Sequence, residues 1–566
     1  MPIRAAPAVH ERARVDSRSA GRTPVSPRAW LARRDTAVFV RLESTTWRAR
    51  ATARRDEDGP SRQRAGAVAL VAILAAVASV AVYREILDSY FWNDDFVWMY
   101  LLRDRSLAEV LFTPIGGHTL VARNALFALV LAAFGLDPRP YFATVLATHA
   151  VNVLLVCRLV WLLTGNVALA GLGALAWGTC PAASETLAWY SVYGQIAALT
   201  CLLAMFCHIA RRARASGRLT ARDLVVAGAW FGLASVFFGT AIAVAIVFPF
   251  TVALLFPGML AIPGARRGVL TLSAFVLFVH GALLLLASWV YSVPSVHVDA
   301  LRWLIHNPGV ACATFVHLVR VGVTSLMLGA WWSTADGSHV VSWIVLVVVC
   351  IAWLGTLRIA SHLARGRILA FTLLALSSYA LVALSRGPMA GFFHTTATQL
   401  GATLRYHYTA QAFLVVAFGV ALDVLGSQLR PWARAALAAV PACVLVAGHM
   451  LRIVPIDVHA DSRSEVAHAM KTLRARTAAA PAGEVVYVDN EPLAAFGWMP
   501  NIPVPLPGLA ALFVIVSPSG EIDGRRVRFV EHNPVVYRQF IARSDSRLAA
   551  LLVLDEPGAR VQPSSR

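Results

Sequence analysis

Between residues 66 and 455, apolar runs of about 18 or more residues with almost no charge recur along the chain. A helix rises about 1.5 Å per residue, so such a run matches the roughly 30 Å hydrocarbon core of a bilayer. Lipid offers no partner to a backbone amide, and a single run can satisfy its own polar groups there only as a helix. The composition agrees: 58% of residues are hydrophobic and 14% are charged, far from the balance of a water-soluble domain. These features predict an all-α polytopic membrane protein.

Eleven spans are expected, at 66–83, 140–163, 166–181, 189–210, 222–239, 240–256, 268–291, 340–357, 368–386, 406–427 and 433–455. Two more apolar segments, 119–136 and 310–331, are kept out of this set because either one, as a full crossing, would reverse the side of every later loop. The arginine-bearing loops at 211–222, 265–268, 358–367 and 429–434 then share one face, which the positive-inside bias makes cytoplasmic. Arg123 and Asn124 in the first segment, and His317 and Arg320 in the second, suit a shallow or re-entrant helix. The net charge of +19 is explained by these loops and by the N-terminal tail, so no nucleic-acid partner is expected.

Three regions follow. Residues 1–65 read as a disordered Arg-rich cytoplasmic tail without the apolar core of a signal peptide, which leaves the first span as its own insertion signal. Residues 66–455 are the polytopic domain, N-terminus in and C-terminus out, in the plasma (bacterial inner) membrane. Residues 456–566 read as a small soluble α/β domain on the outer, periplasmic side, with an amphipathic stretch at 461–478, strand-like runs at 484–488 and 512–516, and a loop marked by prolines 500, 503, 505 and 507. The seven cysteines lie in or beside apolar segments with neither metal-ligand nor framework spacing. No disulfide, metal or other cofactor is expected.

The chemistry-bearing residues gather in the outer loops. Tyr90-Phe91-Trp92-Asn93-Asp94-Asp95-Phe96 follows the first span directly. Two adjacent carboxylates among aromatics beside a bilayer are costly to desolvate, and such groups serve acid–base work. The plainer alternative is a helix cap at the membrane interface with Trp92 in the aromatic belt. His118, in Gly116-Gly117-His118, shares that loop and suits either a phosphate or sugar contact or an ordinary helix start. Glu185, in Pro181–Tyr190, is either an acceptor or arginine partner or a first-turn acid facing the helix dipole. Arg405-Tyr406-His407-Tyr408 puts an arginine on the face the charge bias disfavours, where a lipid phosphate is a fitting partner; a snorkelling girdle is the alternative. His149 and Asn152 are expected to hydrogen-bond between helices.

These residues, in order and on one side, resemble the GT-C superfamily of membrane glycosyltransferases, and within it bacterial protein O-mannosyltransferase and aminoarabinose transferase relatives. The resemblance rests on Asn93-Asp94-Asp95-Phe96, Gly116-Gly117-His118, Gly135-Leu136-Asp137-Pro138, His149 with Asn152, Glu185 with Trp189, and Arg405-Tyr406, across about 66–455. It implies a first outer loop with interfacial helices, a polyprenyl phosphate-linked sugar donor used on the outer face, Asp94 as general base and Asp95 in support. It also implies donor or acceptor contacts from His118, Arg123, Glu185, Arg405, Tyr406 and His407. The acceptor class is a lipid, a glycan or a protein, and the small outer domain that stands where those relatives carry tetratricopeptide repeats is a departure that counts against a protein.

A transporter or lipid flippase, and a scaffold that keeps the fold without the activity, are the competing functions. Transporters set ionisable groups near the bilayer midplane, whereas here they gather at one rim. The sidedness is directly testable. In a cysteine-free background, Thr396→Cys is expected to react with a membrane-impermeant maleimide in cells whose plasma membrane is intact, and Ser361→Cys only after that membrane is opened. Labelling of Ser361→Cys in intact cells would reverse the topology.

Overall fold

Apolar runs separated by polar, glycine or proline breaks give helices joined by short turns, and that is the architecture found. The computed structural model describes residues 58–92, 94–112, 120–216, 219–258, 263–291, 302–303, 305–331, 339–392, 396–430, 447, 460–489, 526–532, 534–541 and 550–554. The chain divides into two units, Met1–Gln63 and Arg64–Arg566; of the first, the described residues are 58–63. The tail expected at 1–65 and the span expected at 433–455 therefore lie almost wholly outside the described residues.

The helices run in order α1 (Asp58–Tyr83), α2 (Asp94–Asp104), α3 (Leu107–Phe112), α4 (Val121–Phe134), α5 (Pro138–Thr164), α6 (Val167–Gly178), α7 (Ser184–Leu187), α8 (Tyr193–Ser216), α9 (Ala221–Phe237) and α10 (Thr240–Leu255). They continue as α11 (Pro263–Tyr291), α12 (Pro308–Leu328), α13 (His339–Ile359), α14 (His362–Phe392), α15 (Ala397–Ala402) and α16 (Tyr408–Ser427). Among the described residues, eight helices are long and apolar enough to cross a membrane, and nine if α6 and its 50° bent continuation Pro181–Leu187 make one span. The chain is thus a multi-pass, helical membrane protein.

The lipid-facing surface has a clear physical signature. On α13, Val340, Ile344, Val348, Ile351 and Leu354 form an outward stripe, each more than half exposed. Burying such a side chain is worth about 1.5–3 kcal/mol relative to leaving it in water, so a soluble protein does not expose the stripe. Lipid removes that penalty. Polar groups are instead turned inward and paired. The Nε2–H of His149 donates to the Gly178 carbonyl at 3.0 Å, which leaves Nδ1 to accept from the Tyr408 hydroxyl at 2.8 Å. Asn152 donates to Ile196 O at 3.0 Å and to Tyr408 Oη at 3.2 Å. This is the interhelical pairing expected from the spacing, and it ties α5 to α6, α8 and α16.

The bundle has two chemically distinct ends. At one, Arg214 lies 5.5 Å from the Trp161 ring, Arg367 donates to the Leu163 carbonyl, and Arg212 bonds Asp223 at 2.6 Å. The arginine loops 211–222 and 358–367 therefore share an end. The opposite end holds the N-termini of α5, α8 and α16, the C-terminus of α14, and the first-loop helices α2–α4.

Helix α12, expected to stay at the outer surface, is long and apolar enough to count among the eight. Its contacts nevertheless fall on the site-end halves of its neighbours. Ala311 lies beside Gly387, His317 beside Gly401, and Gly322 against Tyr379 and His407; Ser325 accepts from Gln411, and Thr324 reaches Ser342 O.

After α16 the described chain resumes at α17 (Ala460–Ala479), which buries Val466, Met470, Leu473 and Thr477 along one face. Three strands, β1 (Val486–Asp489), β2 (Val527–Glu531) and β3 (Leu552–Leu554), pair in parallel in the order β1-β2-β3, with α18 (Pro534–Ile541) between the last two. The strand-like run at 512–516 and the four prolines lie outside the described residues. β1 starts two residues after the expected run at 484.

Close helix packing generates a stability prediction. A Cβ on Gly366 would sit 2.2 Å from the Leu254 carbonyl oxygen, whereas one on Gly281 would meet nothing within 4 Å. Gly366→Ala is expected to destabilise the protein by about 1–3 kcal/mol. Gly281→Ala is expected to stabilise it by about 0.5–1 kcal/mol. Thermal unfolding of the detergent-solubilised protein reads both.

Candidate active site

Asp94 and Asp95 open α2, where carboxylates are favoured by the helix dipole. Successive helical residues point about 100° apart, so the pair divides. Asp95 turns inward and is fully buried. Its Oδ1 accepts from the Ser191 amide at 2.7 Å and the Ser191 hydroxyl at 2.6 Å, and its Oδ2 accepts from the Trp92 amide at 3.0 Å. Burial still raises its pKa, against the pull of the Ser191 hydroxyl, the Trp92 amide and the charge of Arg463. Both oxygens are committed, so Asp95 positions the loop.

Asp94 is partly exposed, and its Oδ1 is buried without a hydrogen-bond partner among the described residues. Burial, reinforced by the neighbouring Asp95 charge, raises its pKa to about 6, while Arg405, Arg123 and Arg386 pull the other way. A carboxylate with an uncommitted oxygen and a pKa near neutrality is suited to accept a proton.

The three arginines arrive from three different elements. Arg123, in α4, is buried with its guanidinium 4.1 Å from the Trp98 ring. Its Nε and Nη2 donate to Ser191 O at 3.1 and 2.6 Å, and its Nη1 to Asn124 Oδ1 at 2.8 Å. Every nitrogen is occupied within the protein. Instead of the donor or acceptor contact expected of it, Arg123 grips the residue whose amide Asp95 holds.

Arg405 is held differently. Glu185, buried in the short helix α7, accepts from the Arg405 amide at 3.1 Å and from its Nη1. Gln195 donates to the Arg405 carbonyl at 3.0 Å. The guanidinium stacks 4.8 Å from the Trp189 ring and 5.1 Å from Tyr406, and 27% of the side chain stays exposed. It is charged, fixed and open. Trp189 in turn packs edge-on against Trp92, with centroids 5.1 Å apart, which brings the Arg405 group up to the Asp94 loop. Ser184 Oγ and Trp189 Nε1, flanking the same ion pair, are buried without hydrogen-bond partners among the described residues.

Among the other residues expected at the site, Tyr406 flanks Arg405 and is partly exposed. His407 points inward. Its Nε2–H donates to the Gly401 carbonyl at 2.9 Å, its Nδ1 accepts from Tyr379 at 3.2 Å, and burial pushes its pKa down to about 4. Both ring nitrogens are used, so it is a neutral packing residue in place of the ligand contact expected. His118 and the glycines before it lie outside the described residues. No group of three or more His, Cys, Asp or Glu among the described residues could hold a metal ion.

No protein-family model, curated protein or solved structure matches this chain. The functional reading rests on the residues themselves.

Arg386, Ser191 and Arg463 were not singled out from the sequence. Arg386 closes the apolar stretch 368–386 on the same face as Arg405, and the charge-bias argument that flags Arg405 applies to it equally. Ser191 has no sequence signal, because its partner Asp95 is 96 positions away.

The pKa of Asp94 sets a test. Because its folded value of about 6 lies above the ordinary carboxylate value of 3.8, the folded state binds more protons than the unfolded state between those pH values, and stability falls as pH rises through that window. Asp94→Asn removes this term. Its melting temperature is expected to exceed that of wild type at pH 7.5 and to converge toward it near pH 4; a constant difference across pH would show that the carboxyl does not titrate in this window.

Proposed function

We propose that this protein is a membrane glycosyltransferase that moves a sugar from a polyprenyl phosphate-linked donor to an acceptor hydroxyl, with inversion at the anomeric carbon. The observation that carries the reading is Asp94, a partly exposed residue whose buried Oδ1 has no hydrogen-bond partner among the described residues, in the field of Arg405 and Arg386 at one rim of the bundle. In our reading the carboxylate takes the proton of the acceptor hydroxyl. The hydroxyl oxygen bonds to the anomeric carbon as the carbon–oxygen bond to phosphate breaks. The polyprenyl phosphate leaves as an anion met by Arg405 and Arg386. Glu185 holds Arg405 in place, and Tyr406 and Trp189 line its flanks.

Our reading puts the site end on the outer face of the plasma membrane and the arginine end in the cytoplasm, in keeping with the positive-inside bias. The region after the last span becomes a small outer α/β domain. The chain is at the arginine end at Ser427 and back at the site end by Arg463, as an eleventh crossing by the run 433–455 would require. The contacts of α12 with the site-end halves of α14 and α16 support a re-entrant or interfacial helix there. The order Asn93-Asp94-Asp95, Glu185, Arg405 keeps the resemblance to GT-C enzymes.

The test uses the purified protein with polyprenyl phosphate-linked sugars. Asp94→Asn is expected to lower transfer by about 10²–10⁴-fold while polyprenyl phosphate binding persists. Arg386→Ala is expected to weaken that binding. The wild-type rate is expected to rise with pH through about 6, since the base must be ionised. An active Asp94→Asn protein would sink the assignment, and vesicles that move a solute without consuming lipid-linked sugar would favour a transporter.

A further inference from the structure

Helix α17, which follows α16 in the described chain, reaches into the candidate site. Arg463, in its first turn, is buried at 2% exposure although it belongs to a predominantly polar helix. Its guanidinium sits 5.5 Å from the Trp92 ring, and its Nη1 donates to Ser89 Oγ at 3.3 Å. Trp92 packs edge-on against Trp189 at 5.1 Å, and Trp189 carries the Arg405 guanidinium at 4.8 Å. Two cations therefore close the ends of one aromatic pair: Arg463, Trp92, Trp189, Arg405. The face of an indole attracts a cation, and its tilt decides where that cation rests.

We propose that Arg463 is a positioning residue for the site, acting through the Trp92–Trp189 pair to fix Arg405, so that the C-terminal region is a working part of the site. The inference rests on the reading of Arg405 as a phosphate contact, but the coupling itself does not. Trp92 adjoins the Asp94 loop and donates its amide to Asp95, so tilting the ring disturbs both the carboxylate and the arginine side. The buried side chains Val466, Met470 and Leu473 seat the helix that carries Arg463. Its positive charge also acts on Asp95, which ties the same residue to the loop a second time.

The experiment uses the full chain in lipid nanodiscs, with wild type, Arg463→Ala, Arg463→Lys and, as an exposed control on the same helix, Arg476→Ala. Amide hydrogen exchange is followed across 94–104 and 404–408. Binding of polyprenyl monophosphate is measured separately, and donor KM and kcat for transfer after that. The expected result for Arg463→Ala is about tenfold faster exchange in both segments and about tenfold weaker lipid phosphate binding. Donor KM should rise to match, with kcat within about twofold. Arg463→Lys keeps the charge but gives up the planar stack, and should move the same readouts in the same direction even if the alanine variant folds poorly. Arg476→Ala should match wild type. Unchanged exchange at 404–408 and unchanged lipid phosphate binding in both Arg463 variants would overturn the proposal. Faster exchange in a protein whose wild type binds no polyprenyl phosphate would support the coupling and overturn the reading of the site.

Discussion

The site depends first on one pair of hydrogen bonds, those that Asp95 accepts from the amide and hydroxyl of Ser191. Hydrogen bonds to an ionised group are worth about 1.5–3 kcal/mol each, and Arg123 fixes the same residue from its carbonyl side. A serine clamped at amide, hydroxyl and carbonyl pins the segment 181–192 to the first loop. That segment is the hub of the site end: Glu185 and Trp189, which hold Arg405, lie within it, and Trp189 meets Trp92. Asp95 and Arg123 are joined through Ser191, each bonding different atoms of it. The clamp is therefore cooperative, and the geometry around Asp94 follows from it.

Two adjacent aspartates end with different work because their surroundings differ. Asp95 meets donors on both oxygens and becomes a brace. Asp94, the residue before it, has an Oδ1 without a hydrogen-bond partner among the described residues and a pKa raised to about 6. The same contrast separates the arginines. Arg123 spends its donors on the protein, while Arg405 is pinned by Glu185 along one edge and keeps part of its surface open. Residue type sets what each group is capable of; the number of partners decides what it is free to do.

The membrane imposes the remaining order. Apolar stripes such as that on α13 turn outward, and polar residues inside such as His149, Asn152 and Gln411 are paired between helices. Helix α12, whose 21 residues suffice for a crossing, is held by close backbone approaches as well as by side chains. What fixes it is local: Gly322 lets Tyr379 and His407 approach its backbone, and Gln411 donates to both the Gly322 carbonyl and the Ser325 hydroxyl.

The sequence by itself determined that this chain is a helical, multi-pass membrane protein, because hydrophobic length and charge are local properties that a bilayer reads directly. It also determined the sharing of one end by the arginine loops at 211–222 and 358–367, and the interhelical role of His149 and Asn152. It marked Asp94, Asp95, Glu185 and Arg405 as residues to watch, though not which of them would be committed. Only the tertiary structure decided that Asp95 and Arg123 brace Ser191, that His407 turns inward, and that Arg386 and Arg463 belong with the rest. Those outcomes depend on partners distant in sequence, whose approach is set by helix packing and not by any pattern along the chain.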